Sequence, residues 1–279
     1  MRQTSILFFG ILLLFITHRV IAQNCCYDPN KLFADMGNSA EFRGEHEVPD
    51  EINFIPQQGH MINFKTPDGI DANAFLIEAD QPTNNWLIVI HEWWGLNDHI
   101  KQESEKIWKD VRNINIIALD MYDGNVADNR EDAASFMQGL TKERAYSIIN
   151  GVMNYIGKDA KLVTIGWCFG GGWSLQTAIE GGNRTIGCVM YYGMPEEDIA
   201  RLKLLNSDVL GIFAAEETWI SPEVVAKFEE NMSKANKQLE VQSYKADHAF
   251  ANPSSPRYKE KPAQDAYRVT LDYLNEKFK

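Results

Sequence analysis

The stretch Gly166-Trp167-Cys168-Phe169-Gly170-Gly171-Gly172 decides how this chain is read. It follows the apolar, β-branched run Leu162-Val163-Thr164-Ile165 and precedes the helix-compatible Trp173-Ser174-Leu175-Gln176-Thr177-Ala178-Ile179. Strand, sharp turn and helix in that order, with G-x-C-x-G at the turn, is the nucleophile-elbow pattern with cysteine in the usual place of serine. Such an elbow strains its central residue and points that side chain away from both flanking elements. Gly166 and Gly170 answer a steric need, because strand and helix cross closely there. The helix N-terminus beneath Cys168 supplies free N–H groups and positive potential, which favour a thiolate and an oxyanion formed on it. The plainer alternative is a buried cysteine in an ordinary glycine-rich βα turn.

Working outward, the same alternation recurs. Residues 86–90, 114–119, 186–192 and 209–214 read as buried strands, and 239–244 as a further strand. Between and after them, residues 100–111, 131–138, 142–156, 222–235 and 262–278 carry apolar side chains at helical spacing. Residues 61–65 and 74–79 alternate apolar and polar around Thr66-Pro67-Asp68-Gly69, a hairpin signal. The expectation is an α/β fold: a mostly parallel sheet, helices on both faces, and an antiparallel hairpin at the N-terminal edge. One domain over residues 57–279 accommodates all of this. Residues 23–56 have little periodicity and are expected to pack over the domain or trail from it.

The first residues do not belong to that domain. Arg2 opens a positive region, residues 6–16 form an almost unbroken apolar run, and Val20-Ile21-Ala22 suits a signal peptidase. Residues 1–22 are expected to be a secretory leader cut after Ala22, with a retained anchor as the alternative. The protein is then secreted or periplasmic, without stable membrane insertion. Loss of Arg2 and Arg19 with the leader takes the net charge from −12 to −14. An acidic chain without a Lys/Arg cluster does not fit nucleic-acid binding. Of the four cysteines, Cys25 and Cys26 are adjacent and either pair between chains or stay free, while Cys188 reads as a core thiol. No Cys/His spacing suggests a metal, and no cofactor motif is present.

A cysteine nucleophile needs a base and a group to orient it. His248, in Lys245-Ala246-Asp247-His248-Ala249-Phe250, follows the strand at 239–244. Loops at the carboxyl ends of parallel strands share one crevice, so His248 and Cys168 fall on the same edge. The strand at 209–214 runs into Ala215-Glu216-Glu217-Thr218-Trp219-Ile220, which puts Glu216 or Glu217 on that edge too. Nucleophile, acid and histidine in chain order after three different strands fit one acyl-transfer architecture. The loop Ile90-His91-Glu92-Trp93-Trp94-Gly95-Leu96-Asn97 faces the same crevice. Its Trp93 amide and the Phe169 amide are the expected oxyanion donors. A carboxylate at Glu92 suits a role as proton acceptor or holder for the thiol; a salt bridge to a neighbouring arginine is the plainer reading. Trp94, Tyr122 and Phe250 are expected to wall the pocket.

These residues resemble the dienelactone hydrolase (carboxymethylenebutenolidase) family of α/β-hydrolases from about Met61 to the C-terminus. The resemblance rests on G-x-C-x-G-G at Gly166–Gly171, H-E-x-x-G at His91–Gly95 and the Asp247-His248-Ala249-Phe250 segment. It implies Cys168 as nucleophile, His248 as base and Glu92 as thiol partner. The family acid is usually Asp, and the register of Trp219-Ile220-Ser221-Pro222 puts Glu217 in its place. A family arginine that grips the substrate carboxylate falls at Asn252 here. Arg130 is assigned to the pocket by nearness to the cleft rather than by match to the family's other arginine. The expectation is therefore an exported cysteine hydrolase of a small ester, lactone or related acyl substrate, using a Cys-His-Glu triad and an acyl-enzyme. The alternative is a non-enzymatic envelope binding or thiol redox-sensing module on the same fold.

Overall fold

In the computed structural model, residues 29–279 are described. The leader, its cleavage point and the Cys25-Cys26 pair lie outside them. Among the described residues no helix is long and apolar enough to cross a membrane.

The chain enters through two short helices, α1 (Pro29–Gly37) and α2 (Ala40–Glu45). A hairpin follows, β1 (His60–Phe64) and β2 (Ala72–Ile77). The alternating part then runs β3 (Asn85–Ile90), α3 (Asp98–Asp110), β4 (Asn115–Leu119), α4 (Arg130–Gly139), α5 (Lys142–Ile156), β5 (Lys161–Trp167) and α6 (Phe169–Gly181). It continues β6 (Thr185–Tyr191), α7 (Ile199–Leu202), β7 (Val209–Ala214), α8 (Pro222–Ala235), β8 (Leu239–Tyr244) and α9 (Glu260–Lys277). The eight strands form one sheet in the order β1-β2-β4-β3-β5-β6-β7-β8. The β1–β2 and β2–β4 pairs are antiparallel and all others parallel.

Side-chain chemistry explains the layers. The central strands β3, β4, β5 and β7 are apolar along their length and almost wholly buried, as strands covered by helices on both faces must be. Asn97, Asn129 and Thr141 cap α3, α4 and α5 by accepting from the amides of Ile100, Asp132 and Arg144. The α8 helix stops where Asn236 takes the left-handed conformation at φ 57°. The Cys188 thiol is buried in β6, 3.6 Å from Ser174 Oγ, in keeping with a core role.

The segment ahead of the hairpin is more ordered than its weak periodicity suggests. Ser39 caps α2, and Phe33 and Phe42 are buried, meeting edge to face at 6.3 Å. Its two helices are too short to persist alone in water, so they depend on tertiary contacts that hydrophobic periodicity does not display. Those contacts are specific. Helix α1 packs on α4 and α6. Trp219 Nε1 donates to Glu45 at 3.1 Å, and Arg130 Nε donates to the His46 carbonyl at 2.6 Å. The buried Glu105 carboxylate accepts the amides of Gln57, Gln58 and Gly59 at 2.7, 2.8 and 3.2 Å. The segment packs over the domain.

Candidate active site

Cys168 sits between β5 and α6 with φ 56° and ψ −121°, a backbone state that L residues rarely adopt. The strain is held by close packing. A Cβ on Gly166 would come within 2.1 Å of the Gly170 carbonyl oxygen, and one on Gly170 within 2.3 Å of that of Ile90. The Cys168 amide donates to Tyr191 O at 3.0 Å, and its carbonyl accepts from Gly171 at 3.0 Å. The thiol is thereby fixed at the carboxyl edge of the sheet, on the first turn of α6.

The chain turns sharply after β8, where Ala249 has φ 62°, and sets His248 beside the elbow. The His248 Nδ1–H donates to Glu217 Oε1 at 2.7 Å. Both side chains are buried. Glu217 also accepts the Ile220 amide at 3.3 Å. Glu216 points elsewhere, pairing with Lys259 at the surface. Burial alone would disfavour the charged His248 ring, but the Glu217 carboxylate and the sulfur outweigh it and raise its pKa well above 6.5. With Nδ1 committed, Nε2 is left without a hydrogen-bond partner.

Glu92 follows β3. Burial pushes its carboxyl up to about 7, against the opposing effects of His248 and Asn252. Asn252 Nδ2 donates to Glu92 Oε2. Oε1 has no partner. Asn252, where the resemblance leads one to expect an arginine, therefore holds the glutamate, and no salt bridge to an arginine forms at Glu92 among the described residues. The loop is pinned by buried His91, whose Nδ1–H donates to the Glu92 carbonyl while Nε2 accepts the Met121 amide at 3.1 Å. The Cys168 thiol is raised first by burial, with Glu92 adding to it and His248 opposing.

One histidine in this site carries no sequence signal. His46, just past α2, reaches over the elbow with its Nε2 3.8 Å from Cys168 Sγ. Its Nδ1 lies 2.8 Å from the Phe42 carbonyl, which can only accept, so Nδ1 carries the proton and Nε2 presents a lone pair. Its ring lies 4.5 Å from that of Trp93 and 5.1 Å from that of His248. Burial is the main reason its pKa falls to about 3, with His248 adding. It stays neutral at any ordinary pH. Ser39 ahead of Ala40-Glu41-Phe42 is a readable helix start; that the residue after this helix crosses the cleft is a tertiary fact.

The space above the thiol is a cavity of ≈ 20 Å³, lined by His46, Glu92, Trp93, Trp94, Cys168 and His248 among others. That is room for about one water. A neighbouring cavity of ≈ 70 Å³ is lined by Glu92, Trp167, Ala251, Asn252, Pro253 and residues of α3. Trp93, Trp94 and Asn252 line the cavity at the thiol. Tyr122 is buried behind the loop, its ring 4.7 Å from His91 and 5.5 Å from Phe169. Phe250 packs at 5.7 Å on Tyr192 and 5.3 Å on Tyr244, outside the lining of both cavities. Arg130 donates through Nε to the His46 carbonyl and is not in the lining of either cavity. Arg130 thus reaches back 84 residues to the His46 carbonyl, while Phe250 packs on Tyr192 and on Tyr244, six residues before it.

Comparison with known proteins agrees with this architecture. The model of the dienelactone hydrolase family matches residues 72–278. A Saccharolobus solfataricus relative is 26% identical over 258 residues, covering 76% of this chain and 96% of its own. Carboxymethylenebutenolidase 1 of Cupriavidus pinatubonensis is 21% identical over 203 residues, covering 67% of this chain and 84% of its own. Among solved structures, a dienelactone hydrolase-like promiscuous phosphotriesterase from metagenomic libraries superposes with a TM-score of 0.67 at 18% identity, over 78% of this chain and 98% of its own.

Proposed function

The chain belongs to the dienelactone hydrolase family of α/β-hydrolases, and from that premise we propose that it is an exported cysteine hydrolase of small esters or lactones working through Cys168, His248 and Glu217. The observation that carries the reading is the coincidence of a strained elbow thiol with a histidine whose Nδ1 is held 2.7 Å from a buried carboxylate. Such a carboxylate fixes the tautomer that leaves Nε2 available to accept a proton.

The resting thiol is protonated, and the first task is to remove that proton. Glu92 lines the same cavity, has a free Oε1, and with a pKa of about 7 is poised to exchange a proton at neutral pH. The thiolate attacks the carbonyl carbon, and the Trp93 and Phe169 amides hold the resulting oxyanion. Donors of this kind are worth about 10²–10³ in turnover. His248, whose pKa is raised well above 6.5, enters the cycle as the imidazolium; the leaving alkoxide takes its Nε2 proton, and an acyl-enzyme with a neutral His248 remains. His248 then draws a proton from water, whose oxygen attacks the acyl carbon and releases the acid.

The substrate is small because the space beside the thiol is small. With Asn252 bound to Glu92, that position offers no cation to grip a substrate carboxylate. A neutral ester or lactone fits better than an anionic dienelactone. A thiol-sensor role requires an accessible thiolate, and Cys168 is 2% exposed with its pKa raised. The test is hydrolysis of an activated aryl ester by the purified protein. Cys168→Ala is expected to abolish turnover with the unfolding curve unchanged, and undiminished turnover would sink the reading. Export is checked separately, by fractionation of expressing cells and N-terminal sequencing, with Gln23 the expected first residue.

A further inference from the structure

We propose that His46, Cys168 and His248 form a binding site for a thiophilic divalent ion, Zn²⁺ foremost, that takes the sulfur out of catalysis when occupied. A ring nitrogen of each histidine and the Cys168 sulfur all lie within 4.8 Å of one another, in buried surroundings. In a tetrahedral zinc site the N···S edge is about 3.5 Å and the N···N edge about 3.4 Å, from bond lengths of about 2.3 Å to sulfur and 2.0–2.1 Å to nitrogen. The His46 Nε2 to Cys168 Sγ separation is 3.8 Å. Side-chain shifts of about an ångström close the set.

The supporting groups are those that zinc histidines use. A metal-ligating histidine gives its other ring N–H to a backbone carbonyl or a carboxylate, which fixes the tautomer and orients the ring. His46 does the first through Phe42 O and His248 the second through Glu217. The His248 Nε2 atom is buried beside the Cys168 sulfur, so an ion between them is held by both. Two imidazoles and one thiolate favour zinc over hard cations such as Mg²⁺ or Ca²⁺. The cavity of ≈ 20 Å³ above the thiol leaves a fourth position for water. Binding replaces the thiol proton and the Nε2 proton of His248 by the ion, releases both to solvent, and changes no oxidation state. It occupies the sulfur lone pair that attacks the substrate and the nitrogen that accepts protons, so the bound form is inactive. His46 lies outside the residues 72–278 that match the family, so the third ligand belongs to the added segment.

The binding experiment does not depend on the ester-hydrolase reading. The chelator-treated full chain is titrated with Co²⁺ as a spectroscopic stand-in, followed by displacement with Zn²⁺. One Co²⁺ per chain is expected, with intense visible bands of tetrahedral cobalt and a near-ultraviolet thiolate-to-cobalt band that Cys168→Ser removes. His46→Asn keeps a donor for Phe42 O, removes the Nε2 lone pair, and is expected to weaken affinity roughly a hundredfold. Should circular dichroism show that variant unfolded, Glu217→Gln replaces it, with an expected loss of about 10- to 100-fold. A pale octahedral spectrum, no sulfur band, or unchanged affinity in the folded variant overturns the site. Zn²⁺ near one equivalent is expected to stop ester hydrolysis and a chelator to restore it; hydrolysis that persists with the site filled overturns the inhibitory role. A chain that binds Co²⁺ this way yet hydrolyses no ester keeps the site and refutes the hydrolase mechanism.

Discussion

Glu92 carries the clearest titration in the site. Its carboxyl is raised from 4.5 to about 7, chiefly by burial. The folded protein therefore holds this proton more tightly than the unfolded chain. That contribution to stability is complete below about pH 4.5 and is lost as pH rises through 7. Glu92→Gln removes the penalty, so the variant should gain on the parent by up to about 3 kcal/mol between pH 5 and pH 8. Denaturant unfolding of metal-free protein at the two pH values checks this, and equal differences at both would refute it. The same variant should lose turnover, because a glutamine cannot take the thiol proton. Glu217 acts on the other side of the site. Glu217→Gln keeps the shape but no longer fixes Nδ1–H on His248, and turnover is expected to fall by about 10³–10⁴ with a smaller change in KM. A drop of only a few fold would remove Glu217 from the mechanism.

The elbow and the N-terminal segment are the elements on which the site depends. At the elbow, β5 and α6 approach so closely that Gly170→Ala would press a methyl on the carbonyls of Ile90 and His91. A loss of at least about 2 kcal/mol, or failure to fold, is expected in an unfolding measurement. The segment is held by Phe42, which is 1% exposed and packs on Trp93 and Trp219 at 5.8 and 5.4 Å. Phe42→Ala should loosen it locally rather than unfold the domain. Alkylation of Cys168, followed by peptide mass spectrometry, should then speed up at least roughly tenfold. His46 adds an acid sensitivity. Its pKa is depressed to about 3, so its contribution is present above 6.5 and is lost as pH falls toward 3. In metal-free protein, Cys168 labelling at pH 4.5 relative to pH 7 should exceed what the thiol's own titration allows, and His46→Asn should flatten the difference.

Across the whole molecule, the inner parallel strands were legible because they are buried on both faces and read as mainly apolar runs, and the edge strand β8, partly exposed, because apolar and polar residues mix along it. The strands at 209–214 and 239–244 and the helices at 142–156 and 222–235 begin and end where the residue pattern puts them. The elbow was legible because its glycines answer a local steric demand, and the order Cys168, Glu216 or Glu217, His248 because loops after parallel strands share one edge. Helix α1 and helix α2 were not, since nine and six residues carry too little periodicity and are stabilised by packing of α1 on α4 and α6 and by the contact of Phe42 with Trp93. Nor was the competition for the acid, where Glu216 and Glu217 differ only in which way the chain turns after β7. The sequence by itself determined the sheet, the elbow and the family chemistry, because these follow from short-range patterns of burial, chirality and spacing. Only the tertiary structure decided that Asn252 holds Glu92, that Arg130 holds the segment, and that His46 stands over the thiol. Each of these is a contact between side chains far apart in the chain, selected by packing and hydrogen bonding that no local pattern encodes.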